Sequence, residues 1–364
     1  MVTLYDVARR AAVSTATVSR VVHGQDRVRE ATRIRVQQAI DELGYVPDGA
    51  AQSLSRRRKD IIGMLCVERE TAGQHDIETE CLLYYDEVQR GVQERIRDSQ
   101  WLLLSTFMHA DGAGEPDLSR LNPLSGKVDG ILVGEGFAAS RYIQRLAARL
   151  PVVVIAGTLG AQAADVVAAD NFSGAAALIT HLIAGHGGRR LFHVGGPPNS
   201  PDAIQRRLAL DHALRGHPQC QLIGSTQGNF SVSSGEQAGE ELLARHRAAL
   251  PDAVVCANDQ MAVGVLRALT GAGVRIPDEV AVTGFDDLYA ARLADPPVTT
   301  VRQPMRLLGE RACARLLDRI AHPALSPAVE LLPTELVLRS SCGCPPGTVT
   351  CQPVKTLKPG SGHQ

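Results

Sequence analysis

VSTATVSRVVH, residues 13–23, has the layout of a short helix although it is crowded with mediocre helix formers. Ser14 stands where a hydroxyl can accept from the free N–H groups of a first turn. Val18, Val21 and Val22 follow at i, i+3 and i+4 and make one apolar face. Thr15, Ala16, Ser19, Arg20 and His23 hold the other. A face selected only for water would favour Glu and Lys. Small hydroxyl and methyl groups around an arginine point instead to a surface that another molecule covers.

The flanks supply the rest of a small helical module. In TLYDVARRA, Thr3 and Asp6 are spaced as a capping box, and Val7, Ala8 and Ala11 form a narrow stripe. The polar GQDRVRE precedes TRIRVQQAIDELGY, where Val36, Ala39, Ile40 and Leu43 recur with helical period and Gly44 is a natural stop. Three short helices with a tight turn at Ala12-Val13 describe a helix-turn-helix, whose second helix presents its N-terminal residues to the major groove. Arg20 can donate two bonds to guanine, and Thr15 and Ala16 can meet base edges and the thymine methyl. Ser14, Thr17 and Ser19 can bind phosphate or cap. The alternative is a helical subdomain with no tie to DNA.

Charge separates this module from the rest. The chain carries 38 Lys and Arg against 39 Asp and Glu. Residues 1–59 hold 11 against 6, a net +5, which leaves −6 for the remaining 27 against 33. A basic module on an acidic body implies a polyanion for the module alone. No apolar run approaches the roughly 18 residues of a membrane span, and MVTLYDVARRAAVS lacks the core of a signal peptide. No membrane partner is expected. The 8 Cys are scattered rather than framed for disulfides, which favours a reducing cytoplasm. Cys342, Cys344 and Cys351 make a C-x-C-x6-C group with ligand potential. The Pro/Gly-rich surroundings lack periodicity, so residues 342–364 are expected to be a disordered tail, with no metal and no cofactor.

TLYDVARRAAVSTATVSRVVHG followed by TRIRVQQAIDELGYVPDGAAQSL resembles the lactose/galactose-repressor (LacI/GalR) family of bacterial transcription regulators. The similarity runs from residue 3 to about 341. It implies base reading by Thr15, Ala16 and Arg20, with a hinge helix from Asp48 to about Ser55. Leu54 stands at the position of the family's minor-groove leucine. The hinge is only two turns long and is expected to order when two copies meet on DNA, since helices under ~12–15 residues are marginal in water. Arg57, in the run RRRK, then lies near phosphates. One departure is Arg29, where the family usually has a capping hydroxyl. A lost cap costs about 1 kcal/mol, so either the third helix starts elsewhere or Arg29 reaches a phosphate.

From Ile61 onward, apolar runs such as IIGMLCV, DGILV, PVVVIAG, RLFHVGG and VAVTGF alternate with amphipathic stretches. This βα alternation implies parallel sheets wrapped by helices, with a cleft at the carboxyl ends of the strands. The resemblance names the body a two-lobed type I periplasmic-binding-protein-like fold. GEGFAA at 134–139 matches a dinucleotide fingerprint, but the next strand ends in Ala156-Gly157 with no ribose-binding acid. No catalytic motif is present, so an enzyme is not expected.

By family register, Arg206, Asn258 and Asp286 are effector contacts, with Arg207 the one-residue alternative to Arg206. Their local alternatives are a helix cap for Asn258 and an ion pair for Arg206–Asp286. Asp170-Asn171 reads as a cap for the following helix. Trp101 reads as packing. Ala156, where sugar-binding relatives can carry aspartate, and a long loop over 69–85 both argue against the familiar sugar effector.

The expected organisation is a helix-turn-helix domain at 1–47, a hinge helix and basic linker at 48–59, an effector-binding and dimerisation body at 60–341, and the tail. The expected function is a cytoplasmic, ligand-responsive repressor. It acts as a homodimer on a near-palindromic DNA operator and answers to a sugar or another small polar metabolite. The rivals are a solute receptor of the same body fold and an NAD-dependent enzyme. No heptad tail follows residue 341, so no C-terminal coiled coil is expected.

Overall fold

The computed structural model describes residues 2–22, 28–45, 58–69, 78–110, 126–134, 141–156, 164–345 and 351–354. They fall in two compact units, Met1–Asp60 and Ile61–Gln364.

The first unit holds α1 (Leu4–Ala11), α2 (Thr15–Val22) and α3 (Glu30–Leu43). The Asp6 carboxylate accepts the Thr3 N–H at 2.9 Å and the Thr3 hydroxyl at 2.7 Å. These bonds, with Arg9 nearby, hold its pKa below the usual carboxylate range. Ala12 takes the left-handed conformation at φ 53°, and the Val13 N–H returns to the Ala8 carbonyl at 3.0 Å. That reversal makes the turn tight enough for α1 and α2 to share a core. The core is Val7, Ala8, Ala11, Val18, Val36 and Ala39, with Val21, Val22 and Leu43 packed at its edge. The third helix starts at Glu30, inside the stretch read as loop. Arg29 is its N-cap residue, and no side chain caps it.

The second unit has two parallel sheets. The first comprises β1 (Ile61–Arg69), β2 (Leu102–Ala110), β3 (Gly130–Val133), β4 (Val152–Ile155), β5 (Asp165–Ala169) and β11 (Val329–Leu332), in the order β11-β5-β4-β3-β1-β2. The second comprises β6 (Arg190–Gly195), β7 (Gln221–Gln227), β8 (Ala253–Cys256) and β9 (Ala281–Thr283), in the order β7-β6-β8-β9. Runs such as VVVI in β4 are buried throughout because helices cover both faces.

Helix α4 (Glu78–Ile96) packs on the first sheet beside a late helix, α11 (Met305–Ala321), through Val88, Val92, Leu308 and Leu316. An alanine Cβ at Gly91 would run into the Arg306 carbonyl, and one at Gly309 into the Val88 carbonyl. The two helices therefore touch backbone to backbone. The second lobe repeats the device between α8 (Val232–His246) and α9 (Asp259–Gly271), where Gly235 abuts Met261 and Gly264 abuts Val232.

Among the described residues the chain passes between lobes three times. It leaves β5 at Asp170, returns after β10 (Thr300–Arg302) through Gln303, and leaves β11 again at Thr334. β10 joins β12 (Glu335–Val337) and β13 (Cys351–Pro353) in a small antiparallel sheet that the alternation pattern does not announce.

Two expectations need correcting. The segment 69–85 is not loop to its end. The helix begins at Glu78, because Tyr85, Val88, Val92 and Ile96 form one buried stripe that carries it back. The tail from 342 is not disordered over its described part. Cys342 is buried, and β13 pairs Cys351 with Val337. Backbone pairing and one buried side chain need no sequence periodicity. Residues 346–350 and 355–364 lie outside the described residues.

Candidate functional site

In the first unit, Val18 is buried and fixes the rotation of α2. That leaves Ala16 and Arg20 exposed, with Thr15, Thr17 and Ser19 half-buried. The Ser14 hydroxyl accepts the Thr17 N–H at 3.2 Å and lies 2.9 Å from the Thr17 hydroxyl. Thr17 is thus engaged at the helix start, and Thr15, Ala16 and Arg20 form the open face. Among the described residues Arg20 has no ion-pair partner. A guanidinium held out in this way, beside a methyl and a hydroxyl, suits the edges of base pairs. Leu54 and Arg57 lie outside the described residues, as do the hinge helix expected over 48–55 and residues 135–139 of GEGFAA.

In the second unit the polar groups converge at the carboxyl ends of β8 and β9. Helix α7 (Pro201–Gly216) opens with Ser200, whose hydroxyl accepts the Ala203 N–H at 3.2 Å. Arg206, two turns in, is only 5% exposed. Its Nε donates to Asn171 Oδ1 at 2.9 Å, one terminal nitrogen donates to the Ala257 carbonyl, and the other lies 3.3 Å from Asp286 Oδ1. The guanidinium stacks 3.8 Å from the Phe285 ring centre. Asp202 completes the shell, accepting from Asn171 Nδ2 at 2.9 Å. Arg207 faces elsewhere and pairs with Asp211 at 3.0 Å. Of the two arginines, only Arg206 reaches the convergence.

Asn258 caps α9, accepting the Met261 N–H at 3.0 Å, and its amide donates to the Phe230 carbonyl at 2.9 Å. Asp286 sits at φ 116° and Asp287 at φ 59°, conformations that side chains other than glycine rarely adopt. Strain of this kind costs on the order of 1–3 kcal/mol and concentrates at functional sites. Asp286 is held there by its N–H to the Val301 carbonyl at 2.7 Å and by Gln303 Nε2 on its carboxylate at 2.6 Å.

Burial pushes the Asp286 carboxyl up, only partly offset by Arg206 and Gln303. Burial and the neighbouring Asp286 also drive Asp259 well above the usual range. Asp287 goes the other way. Burial opposes its charge, but Arg339 and Arg302 outweigh it.

The local alternatives for Asn258 and the Arg206–Asp286 pair are therefore real contacts. The same contacts place Arg206, the Ala257-Asn258 turn and Asp286 at one spot. Gln303 Oε1, on the side chain bonded to Asp286, and Asp170 Oδ2, on the residue before Asn171, are buried with no hydrogen-bond partner among the described residues. Both stand on interlobe crossovers. Asp170 Oδ1 caps the helix α6 (Asn171–Thr180) through Ser173 at 3.0 Å, as the sequence suggests, so the other oxygen remains available. Gln303 and Phe285 were not legible as site residues, since neither belongs to a motif. Trp101 packs against the core of the first lobe.

Among the described residues, no helix is long and apolar enough to cross a membrane.

Comparison with known proteins follows the same division. A family model described as "Bacterial regulatory proteins, lacI family" matches residues 3–48, and one for a periplasmic binding protein-like domain matches residues 179–342. The transcriptional regulator CelR of Thermobifida fusca is 35% identical, over 93% of this chain and 98% of its own. The repressor PurR of Mannheimia succiniciproducens is 32% identical, over 94% of this chain and 98% of its own. A lac repressor dimer bound to operator and the anti-inducer ONPF superposes with a TM-score of 0.81 at 28% identity, over 94% of this chain and 99% of that one. A CelR–cellobiose complex gives 0.67 at 30% identity, over 94% and 100%.

Proposed function

The chain belongs to the lacI family of bacterial regulatory proteins, and from that we propose that two copies of it repress transcription from a near-palindromic operator. A small polar molecule between the lobes sets their affinity for it. That the chain is a ligand-responsive DNA-binding regulator and not an enzyme follows from the family and the fold. The operator symmetry, the dimer, the hinge at 48–59 and the contact residues are our reading.

The observation that carries it is the open face of α2, with Arg20 exposed between Ala16 and the half-buried Thr15. A dimer is supported by large apolar side chains left in solvent on the second unit. Leu102 on the edge strand β2 is 64% exposed, and Tyr289 and Leu293 are 69% and 67% exposed. Tyr289 and Leu293, four residues apart on one short helix, form an exposed apolar pair of the kind that favours burial against a partner. The effector site is supported by Arg206, Asn258 and Asp286 meeting at strand ends, and by unpartnered oxygens on Asp170 and Gln303. Those oxygens accept hydrogen bonds, so they favour a ligand rich in hydroxyl or amino donors.

The mechanism is linkage. A ligand that bridges the lobes prefers one interlobe angle, and by stabilising it biases how two hinges meet on DNA. Effector and operator must then alter each other's affinity by the same factor.

Selection of binding sites from random DNA by the full-length protein, followed by footprinting, tests the reading. The expected site has two inverted half-sites protected by two chains. An asymmetric site or binding without sequence preference would overturn it. The footprinted complex then serves to screen disaccharides, polyols and nucleosides. Cellobiose comes first, because a relative has been solved with it.

A further inference from the structure

Cys342 and Cys344 do not dangle in a tail. They lie against His181 and His186, far from them in sequence, and the four ligand atoms are all within 4.8 Å of one another. The separations are 3.1 Å between the two Nε2 atoms and 3.5 Å between the two Sγ atoms. Cys344 Sγ is 3.4 Å from His181 Nε2 and 3.5 Å from His186 Nε2, and Cys342 Sγ is 3.8 Å from His181 Nε2.

Hydrogen bonding does not account for this geometry. A ring nitrogen has either one hydrogen or one lone pair, yet His181 Nε2 faces three neighbours at contact distance. A single cation at the centre satisfies all four groups at once. Tetrahedral zinc, with Zn–S about 2.3 Å and Zn–N about 2.0–2.1 Å, holds its ligand atoms about 3.8 Å (S–S), 3.6 Å (S–N) and 3.3 Å (N–N) apart. Five of the six pairs fall near those values, and the sixth, Cys342 Sγ with His186 Nε2, lies within 4.8 Å. Two thiolates and two imidazoles are a donor set suited to zinc, and four protein ligands leave no open position for catalysis.

The backbone supports the same arrangement. Residues five apart on an α-helix point about 140° away from each other. Here His181–Gly185 form a π-turn, whose wider winding brings His186 back beside His181. On the other side, Ser340–Cys342 form a 3-10 turn that ends at Gly343 with φ 95°. That left-handed residue lets both sulfurs face the histidines, and glycine supplies it without steric cost. The Thr299 hydroxyl, shared with the Arg339 carbonyl, lies 3.0 Å from Cys342 Sγ, an outer contact of the kind that orients a metal ligand.

We propose that His181, His186, Cys342 and Cys344 bind one structural zinc ion. It fastens the C-terminal segment to the end of the helix that begins at the interlobe crossover. Ion binding there displaces the two thiol protons and closes the second lobe around residues 181–186 and 340–344.

The test uses full-length protein, reduced and stripped of metal, titrated with Co2+ and then Zn2+. We expect one Co2+ per chain, with the intense visible bands of a tetrahedral site and thiolate-to-cobalt charge transfer. Zn2+ should bleach both and raise the melting temperature. Cys344→Ser and His186→Ala alter the more exposed ligands, and each should weaken Co2+ binding at least tenfold. Should either variant fail to fold, alkylation of the wild-type protein with and without Zn2+, read by mass spectrometry, decides the matter. Zn2+ must then protect Cys342 and Cys344. Weak bands of octahedral cobalt, wild-type spectra in both variants, or equal alkylation with and without zinc would overturn the proposal.

Discussion

Asp286 and Asp287 are adjacent in the chain and meet opposite electrostatic conditions. Asp287 is fully buried among Arg339, Arg302 at 2.7 Å and Arg292 at 2.9 Å. Its folded pKa is depressed. Its stabilising contribution is therefore complete above the unfolded value of about 3.9 and is lost as pH falls through the folded one. Asp286 is raised, so its charge costs stability at neutral pH, and the cost fades as pH falls through its folded pKa. Asp287→Asn leaves Arg339 without its carboxylate and should destabilise by about 3–5 kcal/mol. Asp286→Asn should cost far less while shifting the effector response. Urea unfolding at pH 7, run beside an effector titration, compares them, and equal losses of stability would assign Asp286 a purely structural part. At the same scale, Arg20→Ala should lose ~1–3 kcal/mol of operator affinity and relax one base position per half-site. A single-base operator panel checks this, and a uniform loss across the panel would make Arg20 a phosphate contact. Arg20 was legible because an arginine on an otherwise small-residue face stands out. Gln303 was not, because its part depends on a partner, Asp286, whose backbone is bent to meet it.

Among the elements, α3 shows a residue choice working against its own helix. Arg29 stands at the N-cap and supplies no side-chain acceptor. Arg29→Ser should therefore stabilise the first unit by roughly 0.5–2 kcal/mol. If the arginine serves a phosphate, the same variant should also bind operator more weakly, with a shallower salt dependence. Melting curves and binding at several ionic strengths separate the effects, and a gain in both stability and affinity would remove the phosphate role. The helices of this unit were readable because their apolar positions repeat at helical spacing and little else constrains them. The segment 181–186 was unreadable for the opposite reason. Its winding departs from the α-helix at the residues concerned, so His181 and His186 do not register as neighbours on any helical wheel. The cysteines were visible as a group, but their partners lie across the lobe, and the Pro/Gly-rich composition argued for disorder.

At the level of the whole molecule, the alternation of strands and helices made the two parallel sheets legible. The third, antiparallel sheet was not, because it is assembled from segments after separate crossovers. Those crossovers carry Gln303, bonded to Asp286, and Asp170, next to Asn171, so on the proposed reading ligand contact and interlobe movement would share residues. Arg206→Ala should weaken the effector response by a few kcal/mol, since it takes the donor from buried Asn171 Oδ1 and the counter-charge from Asp286, which keeps only Gln303. Operator affinity without effector should barely change. Footprint titrations with and without effector measure both, and loss of DNA binding in the absence of effector would mark the pair as structural.

Within each lobe the reciprocal glycines leave no gap between paired helices, and alanine at Gly91 or Gly264 would press a methyl against a backbone carbonyl. Helices seated this closely cannot slide or tilt without driving backbone into backbone, so each pair is expected to resist deformation as one stiff block.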